Sequence, residues 1–151
     1  MVGFYERQRG GNGFFLTEKD YRRGAPLSNV MRMVPGVRVI RYTPPPPPRC
    51  GATCGSPPAE TRLVPGRSVA ISMSPGSRGT EQCMMPVFLD GVLHVRSSAE
   101  QGNDIDKVST NGVVAIEVYR NATEIPARFV SANQWCGVVL MWTQAEPDPG
   151  S

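Results

Sequence analysis

The sequence Cys-Gly-Val-Val-Leu-Met-Trp-Thr at residues 136–143 decides the fold, because it is apolar on both sides of an extended chain. A short apolar run of this kind is typical of a strand buried at the centre of a sheet. Residues 113–120, Val-Val-Ala-Ile-Glu-Val-Tyr-Arg, alternate and place Val114, Ile116 and Val118 on one face of a second strand. These stretches predict two late strands that pack against each other.

A tight hairpin is predicted upstream of the late strands. Residues 85–95 contain two short apolar segments joined by Asp90-Gly91. This dipeptide supplies the positive φ angles that a type I′ turn needs. Further upstream, the alternation of residues 37–41 suits a strand.

Three short helical segments are predicted. Residues 26–34 carry an apolar stripe, made of Leu27, Val30, Met31 and Val34, and the stripe ends at Pro35-Gly36. A second segment begins with Thr17 as N-cap, has an acid three residues later at Asp20, and ends at Gly24. The acids of residues 104–108 suit a brief helical turn.

Proline and glycine dominate the rest of the chain. Five consecutive prolines at residues 44–48 impose an extended segment and open an insertion at residues 43–82. This segment is either a stiff spacer or a proline-rich recognition motif. Within the insertion, only residues 67–73 alternate as a strand does. We expect residues 1–16 to be a flexible N-terminal segment and residues 145–151 to be a disordered tail.

Charge and hydropathy exclude several classes of protein. The 16 basic and 13 acidic residues give a net charge of +3, which is too small and too dispersed to favour nucleic acid as a partner. No window approaches the roughly 18 apolar residues of a membrane-spanning helix. The charged N-terminus lacks the apolar core of a secretory signal, so either the protein stays inside or its real start lies upstream.

Four cysteines bear on the compartment. Cys50 and Cys54 lie in the insertion, whereas Cys83 and Cys136 each precede an apolar run. An even number of cysteines favours two disulfides and an oxidising compartment, with free thiols and a zinc site as alternatives. The spacing alone leaves three pairings open.

The sequence predicts neither an enzyme nor a bound cofactor or metal. His94 lies on the hairpin near Asp90, which the turn already explains, and alternate strand residues point to opposite faces. Asp104 and Asp106 lack the glycine and glutamate spacing of a calcium loop. The candidate contacts for a ligand or partner flank the loop between the late strands: Arg120, Arg128 and Trp135. Solvated surface is the alternative for these side chains, whereas Trp142 is expected in the core.

Three segments, in this order, resemble the plug domain of TonB-dependent outer-membrane receptors. Residues 27–37 are similar to its helix with a Val-Pro-Gly-Val turn, and residues 87–92 to its Asp-Gly hairpin. Residues 114–120 and 136–143 are similar to its closing pair of motifs, with Cys136 in place of a glycine. The residues on which this resemblance depends are Pro35, Gly36, Asp90, Gly91, Glu117 and Gly137.

The resemblance implies an α/β fold of the α+β kind, with a small mixed sheet, two or three short helices and the proline-rich insertion. It assigns residues 17–144 to a plug-like domain and favours the disulfides Cys83–Cys136 and Cys50–Cys54. It also implies a place at the outer membrane or in the periplasm, with no chemistry beyond gating the uptake of a small ligand.

The partners that the resemblance implies are an outer-membrane barrel and the energy-transducing protein TonB. A 22-stranded barrel of about 10 residues per strand needs about 220 residues, so this chain cannot build one. The barrel is therefore expected from a separate chain or from a missing half of the same receptor. A free periplasmic interaction module with the plug fold is the alternative.

Overall fold

A computed structural model describes residues 3–44, 55, 57–65, 84–97, 102–120, 123–129 and 137–143. Within these ranges, no helix is both long enough and apolar enough to cross a membrane. The helices are α1 (Phe4–Gly10) and α2 (Leu27–Met31), with 3-10 turns at Ile105–Lys107 and Ala127–Phe129. The strands are β1 (Phe14–Thr17), β2 (Val37–Tyr42), β3 (Glu60–Pro65), β4 (Val87–Leu89), β5 (Val92–Val95), β6 (Ala115–Tyr119) and β7 (Val138–Trp142).

The strand β7 lies in the middle of a five-stranded mixed sheet with the order β1-β6-β7-β4-β5. It pairs antiparallel with β6, where Ala115 lies opposite Trp142, and parallel with β4, where Val87 lies opposite Val139. All five residues of β7 are buried. The predicted central strand and the mixed α/β fold are therefore confirmed. The strands β2 and β3 form a separate antiparallel pair.

The two faces of the main sheet are covered by different material. On one face, Ile116 and Val118 pack with α2 and with the β2–β3 pair. On the other face, Phe4 of α1 packs with Tyr119, Trp142 and Phe129 in a largely aromatic cluster. Trp142 thus lies in the core, as predicted. Val114 packs against the aromatic cluster rather than with Ile116 and Val118, because the strand begins one residue after it.

The predicted helix at residues 26–34 is confirmed as α2 and the turn that follows it. Its four stripe residues, Leu27, Val30, Met31 and Val34, are all buried. The first turn receives its cap from a distant residue, because the backbone N–H and the hydroxyl of Ser28 both donate to the carboxylate of Asp106. Asp106 lies in the 3-10 turn that the acids of residues 104–108 predict.

The predicted hairpin is confirmed as β4 and β5. Asp90 and Gly91 have φ angles of 50° and 84°, the left-handed values that the turn requires. Asp90 also joins the hairpin to the end of β7. Its N–H donates to the carbonyl of Met141, and its carboxylate accepts from the N–H and the hydroxyl of Thr143.

We expect Asp90→Ala to lower the free energy of unfolding by about 2 kcal/mol. Alanine disfavours the left-handed conformation and cannot accept from Thr143. Asp90→Asn is the matched control, because asparagine tolerates a positive φ and keeps one acceptor oxygen. Urea unfolding of both variants measures the difference. A loss for Asp90→Ala no larger than that for Asp90→Asn would contradict the prediction.

The prediction of a helix from Thr17 to Gly24 is wrong. Thr17 ends β1, and the chain then turns. Asp20 has the capping role that the pattern suggests, since its carboxylate accepts from the N–H and hydroxyl of Thr17. It closes a turn rather than a helix, because the N–H of Asp20 returns to the carbonyl of Thr17.

The prediction of a flexible segment at residues 1–16 is also corrected. Residues 4–10 form α1, and β1 pairs antiparallel with β6, with Phe14 opposite Val118. The phenyl ring of Phe4 is fully buried and contacts Phe15 edge to face, with ring centroids 5.5 Å apart. Aromatic burial thus incorporates this segment into the fold in spite of its glycines and charges.

The insertion at residues 43–82 contains a strand that the sequence does not predict. The strand β3 pairs along its whole length with the predicted strand β2 and is buried from Glu60 to Val64. The residues that alternate at 67–73 lie outside the described part of the chain, as do the prolines at 45–48.

Candidate functional site

The motif residues of the sequence lie at opposite ends of the sheet. Gly137 precedes β7 at one end, whereas Asp90 and Gly91 lie beside Thr143 at the other end. A five-residue strand is about 17 Å long, which separates the two groups. The structure therefore does not bring all six motif residues into one site.

The end of the sheet at Gly137 brings four predicted residues together. Gly137 has a φ of 86° and lies against the backbone of Tyr119 and Arg120 at the end of β6. Gly36 lies against the side chain of Arg120, where an added Cβ would be 2.9 Å from Cδ. Arg120 also donates from Nη1 to the carbonyl of Pro35, at 3.3 Å.

Arg120 fastens this end of the molecule. Its backbone N–H donates to Oε2 of Glu124 at 3.0 Å, and its Nη2 lies 3.4 Å from Oε1 of the same carboxylate. The side chain remains 37 % exposed. Arg120 therefore holds the turn after α2 against the end of β6 while part of its guanidinium faces solvent.

Of the remaining predicted contact residues, the structure describes only the backbone of Arg128. Arg128 lies in the 3-10 turn Ala127–Phe129, which Phe129 anchors through edge contacts with Phe88 and Trp142. The side chain of Arg128 and the whole of Trp135 lie outside the described part of the chain. The cysteines at positions 50, 54, 83 and 136 lie outside it as well, so their pairing stays a prediction.

A buried carboxylate at Glu117 is the most highly organised polar group in the structure. Glu117 is fully buried in the middle of β6, on the aromatic face of the sheet. Arg7 of α1 reaches it with two donors, Nε to Oε2 at 2.8 Å and Nη2 to Oε1 at 2.5 Å. Tyr119 donates its hydroxyl to Oε2 at 2.5 Å, and Trp142 donates Nε1 to Oε1 at 2.8 Å.

The electrostatics of this cluster follow from its burial. The hydrogen bond to Glu117 raises the pKa of Arg7 against the opposing effect of burial. Burial raises the pKa of the Tyr119 phenol, and its hydrogen bond to Glu117 adds to the increase. The phenol therefore stays protonated and acts as a donor. Each carboxylate oxygen receives one hydrogen bond from the sheet and one from α1, which is a complete arrangement for a buried charge.

The sequence gives one signal for this cluster. An acid stands between Ile116 and Val118 in an apolar strand, where alternation assigns it to the opposite face together with Ala115 and Tyr119. In a sheet with one solvated face, that position is exposed. Here α1 covers the face, so the carboxylate is buried and needs a charged partner.

A second buried ion pair lies in β3. Arg62 is fully buried, donates from Nη2 to the carbonyl of Arg96 at 2.6 Å, and places Nη1 3.7 Å from Oε2 of Glu60. Burial lowers the pKa of Arg62 in spite of the nearby Glu60 charge. Glu60 accepts from the N–H of Gly102 at 2.6 Å. These contacts attach β3 to the segments that flank residues 98–101.

The dependence of stability on pH tests whether the Tyr21 phenol is buried. Its hydroxyl donates to the carbonyl of Val113 at 2.8 Å, and burial, with the charges of Glu18 and Asp20, raises its pKa to about 12. An unfolded tyrosine titrates near 10. The stability that the neutral phenol contributes is therefore complete below pH 10 and is lost as the pH rises toward 12.

Between pH 10 and pH 12, we expect the free energy of unfolding of the wild type to fall by about 2 kcal/mol more than that of Tyr21→Phe. Urea unfolding at pH 9, 10, 11 and 12 measures the two slopes. Tyr42→Phe, a half-buried tyrosine of β2, is the control. Parallel curves for wild type and Tyr21→Phe would contradict the prediction.

Metal binding receives no support from the described residues, among which no three His, Cys, Asp or Glu side chains group as metal ligands. His94, weighed above as a catalytic residue, is exposed on the edge strand β5.

Comparison with known proteins gives a match at the level of structure. No protein-family model and no curated relative matches the sequence. The fold matches the siderophore receptor PirA from Acinetobacter baumannii, with a TM-score of 0.55 and 16% identity over 96% of this chain and 19% of that chain. The domain has a plug-like fold. The similarity to TonB-dependent receptors that the sequence motifs suggest is thus confirmed for the fold.

The plug-like domain also matches a chain of the RagAB peptide importer in its open-open state. The TM-score is 0.49, with 15% identity over 88% of this chain and 12% of that chain. The plug-like domain thus spans only a small part of either matched protein. PirA is described as a receptor and not as an enzyme.

Proposed function

We propose that this chain is the plug of an outer-membrane receptor, which occludes or gates a barrel and takes part in the uptake of a small ligand. The observation that carries the proposal is the match of almost the whole chain, 96%, to a small part of a siderophore receptor. The ordered motifs of helix, hairpin and closing strand pair support it independently. The action is steric, without chemistry on the ligand.

The interior of the domain suits such an action. A plug must resist deformation when a partner pulls on it, and a sheet with packed cores on both faces moves as one body. The buried pair Arg7–Glu117 connects α1 to the main sheet, and the contacts of Arg62 with Arg96 and of Glu60 with Gly102 connect β3 to the segments beside it. The barrel itself must come from another chain or from a further part of a longer receptor, and TonB is the proposed source of the pull.

The proposed contact surface is the end of the sheet at Gly137. Arg120 is partly exposed there, and the loop that follows it carries Arg128 and Trp135. Guanidinium groups bind carboxylates and phosphates well, and an indole offers a stacking face. We propose that these three side chains contact either an anionic ligand or acidic groups in the barrel lumen.

Fractionation of cells that express the native protein, combined with photo-crosslinking, tests the proposal. A benzophenone amino acid is placed at the exposed positions Arg38 and His94, one on each sheet. We expect the protein in the outer-membrane fraction, with a crosslinked adduct to a barrel protein after illumination. The same variants without illumination are the control.

The other outcomes are equally informative. A periplasmic protein without a barrel adduct would favour a free interaction module with the plug fold and contradict gating. A cytoplasmic protein with four free thiols would contradict both functions. Immunoblotting also reports whether the domain occurs in a longer polypeptide, in which case the barrel is its own.

A further inference from the structure

The carboxylate of Glu117 receives its hydrogen bonds from two separate parts of the molecule. Tyr119 and Trp142 belong to adjacent strands at the centre of the sheet, β6 and β7. Arg7 belongs to α1, near the start of the described chain. The two sheet donors stay in place as long as the sheet exists, whereas the third partner depends on the position of α1.

The geometry selects a guanidinium group. Arg7 uses Nε for one carboxylate oxygen and Nη2 for the other, which is the two-pronged pairing of a planar fork with a carboxylate. The hydroxyl of Tyr119 and the indole N–H of Trp142 occupy one further acceptor position on each oxygen. The carboxylate is thereby oriented, and an ammonium ion, whose donors share one nitrogen, cannot make two straight, parallel hydrogen bonds to the two remaining positions.

The helix that carries Arg7 is weakly self-supporting. It has seven residues, its N-cap Gly3 and C-cap Gly11 are both left-handed, and no side chain caps its first turn. Helices of this length are not stable alone in water. It attaches to the sheet face through the buried ring of Phe4 and through Arg7, which remains 20 % exposed at its outer side. Opening of α1 breaks the contacts of Phe4 and Arg7 with the sheet but no strand pairing.

We propose that Glu117, Tyr119 and Trp142 form a guanidinium-binding site on the sheet, and that Arg7 is its built-in, displaceable occupant. When α1 moves away, the site accepts a guanidinium cation from outside, such as the arginine side chain of a peptide. This site lies on the aromatic face and is separate from the proposed contact surface at Gly137.

The first experiment uses the full chain with Arg7→Ala, which vacates the site. Ethylguanidinium should raise the melting temperature of this variant by about 4 °C at ten times its dissociation constant. Ethylammonium at the same concentration and ionic strength should not. In Arg7→Ala/Glu117→Gln the two cations should act alike. An equal effect of both cations on Arg7→Ala, or no effect of either, would overturn the proposal.

Arg7→Ala is also informative if it does not fold unaided. In that case, refolding in ethylguanidinium should recover the far-ultraviolet circular dichroism spectrum of the wild type, and refolding in ethylammonium should not. Failure of ethylguanidinium to recover more folded protein than ethylammonium would overturn the proposal.

A second experiment asks whether Arg7 is displaced in the wild-type chain. Hydrogen exchange of the α1 amides should accelerate at least severalfold in ethylguanidinium relative to ethylammonium, while exchange in β6 stays unchanged. A peptide with the sequence of residues 3–11 and an unrelated arginine peptide then distinguish the sources. Binding of both to Arg7→Ala supports an external arginine, whereas binding of the first alone restricts the site to its own helix. Unchanged exchange in α1 would contradict displacement.

Discussion

Gly137→Ala should prevent folding or lower the free energy of unfolding by more than about 4 kcal/mol, the largest effect that we expect from one substitution. Gly137 has a φ of 86°, which alanine strongly disfavours. An added Cβ would also overlap the carbonyl oxygen of Tyr119 and approach the carbonyl carbon of Arg120 to 2.9 Å. These atoms are backbone, so relief requires that β7 move away from β6.

Gly112→Ala is the matched control for this prediction. Gly112 has a similar φ of 77°, but an added Cβ there meets no atom within 4 Å. Only the conformational cost of about 1 to 2 kcal/mol remains. Circular dichroism and urea unfolding of the two variants measure the difference. Similar losses would mean that the close approach of the two strands at Gly137 does not constrain the fold.

Glu117→Ala should lower the free energy of unfolding by about 3 to 5 kcal/mol, the range for breaking a buried ion pair. The substitution removes the acceptor of four hydrogen bonds, two from Arg7, one from Tyr119 and one from Trp142. The buried donors of the sheet then lose their acceptor, and a buried donor without an acceptor costs free energy. Urea unfolding at pH 7 measures the loss.

Glu18→Ala serves as the control for Glu117→Ala. Glu18 also pairs with an arginine, Arg23, but the two groups are 3.6 Å apart and both side chains are more than half exposed. Such a surface pair contributes less than about 1 kcal/mol. A double-mutant cycle of Arg7→Ala and Glu117→Ala then isolates their coupling. A loss at Glu117 no larger than at Glu18 would contradict a buried, charged network.

The features that the sequence predicts correctly depend on local patterns. A few neighbouring residues are enough to specify each of three features. These features are the apolar stripe of α2, the Asp90-Gly91 turn and the uninterrupted apolar run of β7. The order of these segments, compared with a known domain, also predicts the fold that the structure adopts. The same information gives the central place of β7, since a strand that is apolar on both faces must be covered on both.

The features that the sequence does not predict depend on distant partners. The strand β3 contains Glu60 and Arg62, which alternation assigns to solvent, yet both are buried and contact the distant residues Gly102 and Arg96. The helix α1 has glycines and charges typical of a loop, and it is held by the aromatic face and by Glu117. At Thr17 the capping pattern is present, but the chain uses it for a turn.

The candidate site also contains residues that local patterns identify and a residue whose role depends on a distant partner. Gly36 and Gly137 are named from motifs and Arg120 as a candidate contact, and the structure brings the three together at one end of the sheet. Glu117 is named as a motif residue, but its role as the centre of a buried network needs the position of α1, which no local pattern contains. Whether Arg120, Arg128 and Trp135 act together on a ligand stays a prediction.

The position of β7 affects how the protein is made. A ribosome synthesises β1 and the β4–β5 hairpin long before β7, yet β7 is the strand that joins the hairpin to β6. Until residue 142 has left the exit tunnel, the nascent chain holds two unfinished pieces with open, apolar strand edges. Such an intermediate can associate with other chains through these edges until β7 pairs with both neighbours.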